Sequence, residues 1–529
     1  MKPSEFAPDA EPEENRAALP MAGSGKAEFK SLRGIQWAQA LVLVALFTAP
    51  AVMSLHLAYV ADPDVWWHLR TAEWMLDHRA VPHTDPFSTF GAGKPWAAYS
   101  WLYELLILQL FQRLGLAGIV AYSTGMAVAV AMAVHRLIRR LQADFSFAVL
   151  LTLIASYSIC RLYTPRPWLF SILLFVLELD LLMQARKTGK TRGLLWLPLL
   201  FALWPNLHIQ FIDGLVLLAV ASAEAILARR WTGLETRIRP VWMCGISAAC
   251  ILATLVNPYG WEIYKIAYGQ VSLPGVLNHL TELSAMAFRS LDDWLVLLLA
   301  LAATVMLARA RRSASFEGVL FAFAVFVSFR SQRDLWVMVT VACAILAAGI
   351  KGDEANRFRL TAFAAPCIAL VTALAALLGF RVLHVDNVRL RADLARELPV
   401  QAVEVVKEKG WSGPLYNDYN WGGYLMWTLR QPMSIDGRAY VYGDERIDRF
   451  GATWNGQPGW DSDPDLAKAG LVIGPVKAPL TQLLRMDPRF QLAYEDKLAA
   501  VFVARKGVSS TPVEAPPAVG GMAAYNAVK

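Results

Sequence analysis

Apolar runs of about 18 residues recur along this 529-residue chain between residues 36 and 380. In hydrocarbon a run of that kind must satisfy its own backbone polar groups, so it folds as a helix, and a series of them makes a polytopic helical membrane protein. The segments 36–58, 117–137, 145–160, 168–185, 193–207, 211–228, 240–257, 291–309, 314–329, 335–350 and 359–380 predict about eleven spans. Composition agrees: 56% of residues are apolar, 18% are charged and mean hydropathy is +0.38. Soluble domains carry about a quarter charged residues. A wholly soluble enzyme and a disordered chain are both excluded.

The flanks read differently. Residues 1–34 are polar and of mixed sign, which predicts a disordered cytoplasmic tail. They lack the short apolar core and cleavage site of a removable signal. Residues 61–115 form a large first outer loop rich in Trp, His, Asp and Pro. Its last part, 101–115, is apolar but short and carries Glu104 and Arg113, so it predicts a helix lying in the outer interface. Residues 381–510 read as a soluble α/β domain, and 511–529 as a disordered Pro/Ala/Gly tail.

Basic residues cluster at Arg136, Arg139 and Arg140; at Arg186, Lys187, Lys190 and Arg192; at Arg229, Arg230, Arg237 and Arg239; at Arg309, Arg311 and Arg312; and at Lys351, Arg357 and Arg359. Loops that carry such clusters stay on the cytoplasmic side. A multi-pass protein of the plasma (inner) membrane follows, with a cytoplasmic N-terminus and an extracytoplasmic C-terminal domain. The net charge of +7 then reflects topology, and no nucleic-acid partner is expected. Cys160, Cys244, Cys250, Cys343 and Cys367 all fall in apolar runs, away from metal-ligand spacing, and are expected to be small buried hydrophobes.

This parity gathers the unusual polar residues on the outer face: Asp62 to Glu104, Arg161 to Arg166, Asn206 to Asp213, Asn257 to Glu282, and Arg330 to Asp334. Asp62 and Asp64, in DPDVWWHLRTAEWML, follow directly on the first span. Acids this close to hydrocarbon are costly unless they meet water, a cation or a polar ligand. The plainer alternative is an aromatic belt with solvated acids. Trp66, Trp67, His68, Arg70, Glu73 and Trp74 fit an interfacial helix. PHTDPFSTFGAGKPW, with His83, Asp85 and Lys94, reads as an ordered turn-rich loop.

An Asp-x-Asp pair past the first span, an interfacial helix, a second aromatic-rich stretch and an outer C-terminal domain together resemble the GT-C glycosyltransferases. The resemblance implies an α-helical polytopic membrane protein with a GT-C-like catalytic domain over 35–380. It implies a glycosyltransferase that moves a sugar from a polyprenyl-phosphate-linked donor to a glycan, lipid or protein acceptor at the outer face. Cell-envelope polysaccharide biosynthesis is one such setting. Asp62 and Asp64 match the family's acidic motif. One would act as base towards the acceptor, or the pair would help hold a divalent metal such as Mg or Mn in the metal-dependent branch.

The chemistry fits these residue types. Transfer needs a carboxylate to take the acceptor's proton. It also needs cations for the departing phosphate, and the guanidinium fork is well suited. RLYTPRPW offers Arg161 and Arg166, and SFRSQRD offers Arg330 and Arg333; snorkelling at helix ends is the alternative for each. His68, Arg70, His83, Asp85, Asn206, His208 and Glu282 are expected to line the sugar and acceptor site. Asn278 and His279 lie near the end of the same outer loop as Glu282.

In the C-terminal domain GPLYND and QPMSIDGR read as strands and WGGYLMWTL as a helix, with LVIGPV and LAYEDKLAAVFVAR as later strands. NDYNWGGY is distantly similar to the WWDYGY-type motif of oligosaccharyltransferase catalytic subunits. Asp418, Tyr424, Asp436 and Arg438 are candidates for contact with the acceptor or the membrane domain.

No G-x-x-x-x-G-K-[ST] loop, H-E-x-x-H pair or nucleotide-sugar Rossmann pattern is present, which disfavours ATP-driven transport and zinc proteolysis. Two other readings compete. A lipid or glycan transporter or flippase would carry charges at mid-membrane, whereas Glu178, Asp180 and Glu224 are expected near cytoplasmic span ends. A non-catalytic envelope assembly protein would leave the acidic pair without a role.

Overall fold

The computed structural model describes residues 24–57, 59–89, 91–229, 236–271, 281–310, 315–353, 356 and 364–505. The N-terminal residues 1–23, the tail from 506, Asn278, His279 and part of the basic clusters (Arg230, Arg311, Arg312, Arg357, Arg359) lie outside the described residues.

A helix stands at each expected span: α1 (Ser24–Leu57), α4 (Leu116–Leu141), α5 (Phe145–Ser158), α6 (Trp168–Thr188), α7 (Leu197–Leu207), α8 (Phe211–Leu227), α9 (Pro240–Ala253), α11 (Leu291–Arg309), α12 (Ser315–Arg330), α13 (Leu335–Gly349) and α14 (Ala364–Val382). Among the described residues six are long and apolar enough to cross a membrane: those at Gln36–Leu57, Leu116–Leu141, Trp168–Thr188, Leu291–Arg309, Gln332–Gly349 and Ala364–Val382. The others run from 11 to 17 residues, short of the roughly 20 that a crossing takes. Helix α7 is short because a 3-10 turn, Thr191–Trp196, precedes it and His208 leaves the helical conformation after it. The bundle is organised on α4, which packs against α1, α5, α6 and α13. Helix α13 is buried from Leu335 to Ala347.

Two groups of charges at one end of the bundle are paired. Asp180 Oδ2 receives Arg136 Nε at 3.0 Å and Arg140 Nη1 at 2.9 Å. Arg186 meets Glu224 and Glu317, each at 2.6 Å. Glu178 departs from expectation. It stands at the midpoint of α6, fully buried, and neither carboxylate oxygen has a partner among the described residues. Cys250 and Cys343 are buried as expected, but Cys244 is exposed.

The first outer loop contains α2 (Pro63–His78) and α3 (Trp101–Leu114). Helix α3 has 14 residues, about 21 Å, and packs between α2 and α4. The segments 83–89 and 91–96 are tied together: Trp96 N–H donates to the His83 carbonyl at 3.0 Å, and Asp85 N–H to the Lys94 carbonyl at 2.9 Å.

The C-terminal domain carries a four-stranded sheet of order β1-β2-β4-β3, with β1 (Leu415–Asn417) parallel to β2 (Leu471–Pro475) and the other pairs, with β3 (Phe490–Glu495) and β4 (Ala499–Ala504), antiparallel. The expected helix is present as α17 (Gly422–Leu429); α10 (Glu262–Val271), α15 (Asn387–Glu397) and α16 (Val400–Lys409) complete the helices used below. The expected strand QPMSIDGR is not one. Its backbone bonds go elsewhere: Met433 exchanges hydrogen bonds with Phe87 and Thr89 of the first outer loop, and Ser434 N–H donates to the Asn417 side chain. The segment therefore bridges the two parts of the molecule. Asn387, in the first turn of α15, makes a second bridge. Its side chain accepts from Ala117 N–H and donates to the Leu114 carbonyl, each at 3.0 Å.

Candidate functional site

Asp62 ends the extended segment after α1 and caps α2. Its Oδ1 accepts the Asp64 N–H at 2.9 Å, with Pro63 at the first helical position. This start signal fixes both carboxylates at one helix end. Opposite them is Arg166, on the turn between α5 and α6. Tyr122 Oη donates to the Arg166 carbonyl at 2.9 Å, and Tyr103 Oη donates to the Pro165 carbonyl. The guanidinium bridges the acids: Nε donates to Asp62 Oδ2 at 2.7 Å and Nη1 to Asp64 Oδ2. Its remaining nitrogen, Nη2, is 3.9 Å from Glu282 Oε2. The carbon at its centre lies 5.3 Å from the Trp168 ring.

The two acids are not equivalent. The Asp62 side chain is 4% exposed and both of its oxygens are engaged; the Asp64 side chain is 17% exposed, and only its Oδ2 is in the bridge. Burial drives the Asp62 carboxyl above its ordinary range, against the pull of Arg166. Burial works against the charge on Arg166 too, but Asp62 and Glu282 outweigh it and keep the guanidinium protonated.

The C-terminal domain closes this site at very short range. Gly423 of α17 lies against the start of α2; a Cβ there would strike the Pro63 carbonyl and approach Trp67 N to 3.3 Å. A Cβ on Gly437 would collide with Asp64 Oδ1. At Gly423 the two backbones approach too closely for any side chain; at Gly437 the Asp64 carboxylate occupies the place a side chain would take. Gly437 is held by a buried ionic clasp. Arg438 grips Asp436 through Nε at 2.8 Å and Nη2 at 2.7 Å, and reaches Asp85 Oδ1 at 2.7 Å with Nη1. Tyr442 Oη donates to Asp436 at 2.5 Å, and Ser88 Oγ donates to Asp85. The Phe87 and Trp96 rings flank the guanidinium at 5.2 and 4.7 Å. Arg438, Asp436 and Asp85 side chains have no exposure. Tyr424 packs edge-on to Trp66 at 5.1 Å.

One turn beyond Asp64, on the same face of α2, is His68. Its Nδ1 is 2.9 Å from Glu104 Oε1 of α3, and both side chains are buried. Burial pushes the imidazole well below its usual range and the carboxyl well above it. Both shifts favour the uncharged forms, a protonated Glu104 carboxyl beside a neutral imidazole. Glu104→Gln, which keeps a neutral partner, is expected to change stability by less than about 1 kcal/mol. Glu104→Ala leaves the ring nitrogen unpartnered and is expected to cost about 1–3 kcal/mol. Thermal unfolding of the two variants in detergent checks this.

His208 and Arg333 form a neighbouring group. His208 Nδ1 pairs with Ser171 Oγ at 2.8 Å, and Trp204 Nε1 donates to the same hydroxyl. Burial and the nearby Arg333 charge hold the His208 imidazole well below its usual range. Arg333 is 3.7 Å from Asp334.

The other expected site residues are engaged elsewhere. Arg161 pairs with Asp293 at 2.8 Å and Asp292 at 3.2 Å, and bonds to neither Asp62 nor Asp64. Arg330 is exposed at the end of α12. Arg70 binds Glu73 at 2.5 Å, which Arg430 of the C-terminal domain also holds. Asn206 accepts from Trp101 Nε1 at 2.7 Å and donates to the Ala202 and Val256 carbonyls, so its amide is spent on packing. His83 is exposed and edge-on to Tyr259. Asp85 serves the clasp. Of the four arginines expected to meet the acids, one does.

Two further residues border the site. Gly437 carries no sequence signal beyond its place in Asp-Gly-Arg. Tyr419 lies close enough to Arg166 and Glu282 for their charges to reach its hydroxyl, and burial raises its pKa. That hydroxyl has no partner among the described residues.

Neither a protein-family model nor a curated protein matches the chain. Solved structures do. The archaeal oligosaccharyltransferase AglB from Archaeoglobus fulgidus, in complex with an inhibitory peptide and a dolichol-phosphate, aligns with a TM-score of 0.50 and 10% identity. The alignment covers 82% of this chain and 69% of that one. ArnT from Cupriavidus metallidurans, bound to undecaprenyl phosphate, aligns with a TM-score of 0.46 and 16% identity over 88% and 99% of the two chains. The chain shares the overall fold of the AglB structure.

Proposed function

We propose that this protein is an integral-membrane glycosyltransferase that takes a sugar from a polyprenyl-phosphate carrier. The observation that carries the reading is the Asp62–Arg166–Asp64 bridge beside the short approach of the C-terminal domain. It puts a partly exposed carboxylate side by side with a cation whose Nη2 is bonded to neither acid, as transfer from a phosphate leaving group requires. The AglB structure was obtained with a dolichol-phosphate, and a carrier of that class suits a site at the edge of a helical bundle.

In this mechanism Asp64 accepts the proton of the acceptor nucleophile as that atom attacks the anomeric carbon. The bond to the carrier phosphate breaks, and its electrons leave with the phosphate oxygen. Arg166 offers Nη2 to that oxygen, while Asp62 holds the guanidinium in place. A single displacement of this kind inverts the anomeric centre. The acceptor is a hydroxyl of a glycan or lipid, or a protein group. The site faces the extracytoplasmic side of the plasma (inner) membrane, with the N-terminus in the cytoplasm. His68, His208 and Glu282 contact sugar or acceptor.

The test is transfer by the purified full chain in liposomes supplied with labelled polyprenyl-phosphate sugars and an envelope lipid and glycan extract. Label should move to an acceptor as free polyprenyl phosphate appears. Label that never leaves the carrier, across a panel of sugars, defeats the reading.

The pH profile has a predicted sign. Asp62 must be ionised to hold Arg166, and burial raises its pKa above 3.8. The rate should therefore fall as pH drops through a midpoint above the ordinary carboxylate value of about 4. A midpoint at or below that value counts against the role given to Asp62.

Transport of the carrier is the second reading, favoured by the unpartnered Glu178 at the midpoint of α6. It predicts carrier movement that survives loss of Asp64.

A further inference from the structure

The GT-C resemblance brings with it a divalent metal at an Asp-x-Asp pair, and the donor set here can be tested against one. A hard cation such as Mg or Mn needs about six oxygen ligands, with carboxylates at its centre. Asp62 Oδ1 is committed to the Asp64 N–H, at 2.9 Å. Asp62 Oδ2 and Asp64 Oδ2 are both bonded to Arg166. No group of three or more His, Cys, Asp and Glu side chains among the described residues is arranged to hold a metal ion. The set does not fit.

We infer that Arg166 fills the place of the metal, so that the acid pair works with a built-in guanidinium in place of a divalent ion. The inference rests on the transferase reading and deepens it. A divalent metal in such a site has two tasks: it bridges the carboxylates, and it neutralises the charge that develops on the leaving phosphate. Arg166 performs the first through Nε and Nη1. Its third nitrogen, Nη2, makes no hydrogen bond among the described residues, with the half-exposed Glu282 3.9 Å away, and is left for the second.

Several features keep the guanidinium in this place. Its backbone carbonyl is bound by Tyr122, and the preceding carbonyl by Tyr103, so the turn cannot swing away freely. Trp168 lies beside the guanidinium, 5.3 Å from its central carbon. A metal entering between the acids would have to expel a cation already bonded to both, then bear that cation's repulsion at close range. A fixed cation also suits the chemistry, because Nη2 can donate a charge-assisted hydrogen bond to a phosphate oxygen while Nε and Nη1 hold the acids.

The experiment uses the purified full chain. Three measurements are made: transfer in excess EDTA and after adding back Mn2+ or Mg2+; Mn2+ binding by electron paramagnetic resonance; and transfer by Arg166→Ala and Arg166→Lys, with and without added guanidinium ion. The expected results are a rate unchanged within about 2-fold by EDTA, and no stoichiometric Mn2+ signal. Arg166→Ala should lose about 100-fold or more, with partial recovery in millimolar guanidinium. Arg166→Lys should fall between, because a single ammonium cannot span both acids. Loss of transfer in EDTA with recovery in Mn2+ overturns the inference and leaves the transferase reading standing. Should wild-type protein transfer nothing under any condition, the transferase reading fails. Mn2+ binding then still decides the metal question, since one tight Mn2+ per chain, lost in Asp62→Asn, overturns the inference by itself.

Discussion

Asp64→Asn is expected to lower the transfer rate by about 10²–10⁴-fold while the protein inserts, folds and purifies as wild type. The asymmetry of the acid pair is the reason. Asp62 has both oxygens committed, one to the helix cap and one to Arg166. Asp64 gives one oxygen to Arg166, and its other faces Gly437 on the more open side of the pair. An amide at 64 can still accept from Arg166 through its carbonyl oxygen, so the local geometry survives, but it cannot take a proton. Asp62→Asn should behave differently. The Asn side chain can still cap α2, yet Arg166 loses its buried counter-charge. KM for the carrier should then rise along with the fall in kcat, because the guanidinium no longer has a fixed position. Steady-state kinetics on both variants separate the roles. Equal effects on kcat alone would mean that the two acids are interchangeable, contrary to their geometry.

The sequence made some of this legible and not the rest. Eleven helices stand where hydropathy placed eleven runs, because segments that must bury their own backbone polar groups leave a strong local signal. The acid pair was legible for a similar local reason: a Pro-flanked Asp at the end of an apolar run is both a cap and an anomaly. The convergence of four arginines was not legible. Arg161 and Arg166 are separated by one short turn, yet one pairs with Asp292 and Asp293 and the other with Asp62 and Asp64. Residue type and membrane side say nothing about which acid each will meet. The same holds for Asn206 and Asp85, whose partners Trp101, Val256 and Arg438 lie 50 or more positions away in the chain. The segment 431–438 was mistaken for a strand because its pattern fits one. Its hydrogen bonds go instead to Phe87, Thr89 and Asn417, a tertiary choice that no local pattern records.

That same segment carries the largest expected effect on stability. Arg438→Ala should destabilise the protein by about 3–5 kcal/mol, because it leaves the carboxylates of Asp436 and Asp85 buried without their cation. The Asp85 carboxyl gives the effect a pH dependence. Burial would raise its pKa, but Arg438, Ser88 and the Phe87 N–H together hold it below 3.8. A carboxyl whose pKa is depressed on folding contributes stability that is present above its unfolded value and is lost as pH falls through the folded one. Wild-type protein should therefore lose this contribution below about pH 4, and Arg438→Ala, lacking it already, should show a flatter acid limb. A triple variant, Asp85→Asn, Asp436→Asn and Arg438→Met, removes every charge from the clasp. It should recover much of the loss, since uncharged groups of similar size carry no such desolvation cost. Gly437→Ala separates support from chemistry. The clasp remains, but a methyl group meets Asp64 Oδ1, so transfer should fall much further than unfolding temperature does. If Gly437→Ala transfers normally, the C-terminal domain is a lid of no consequence to Asp64, and the clasp serves folding alone.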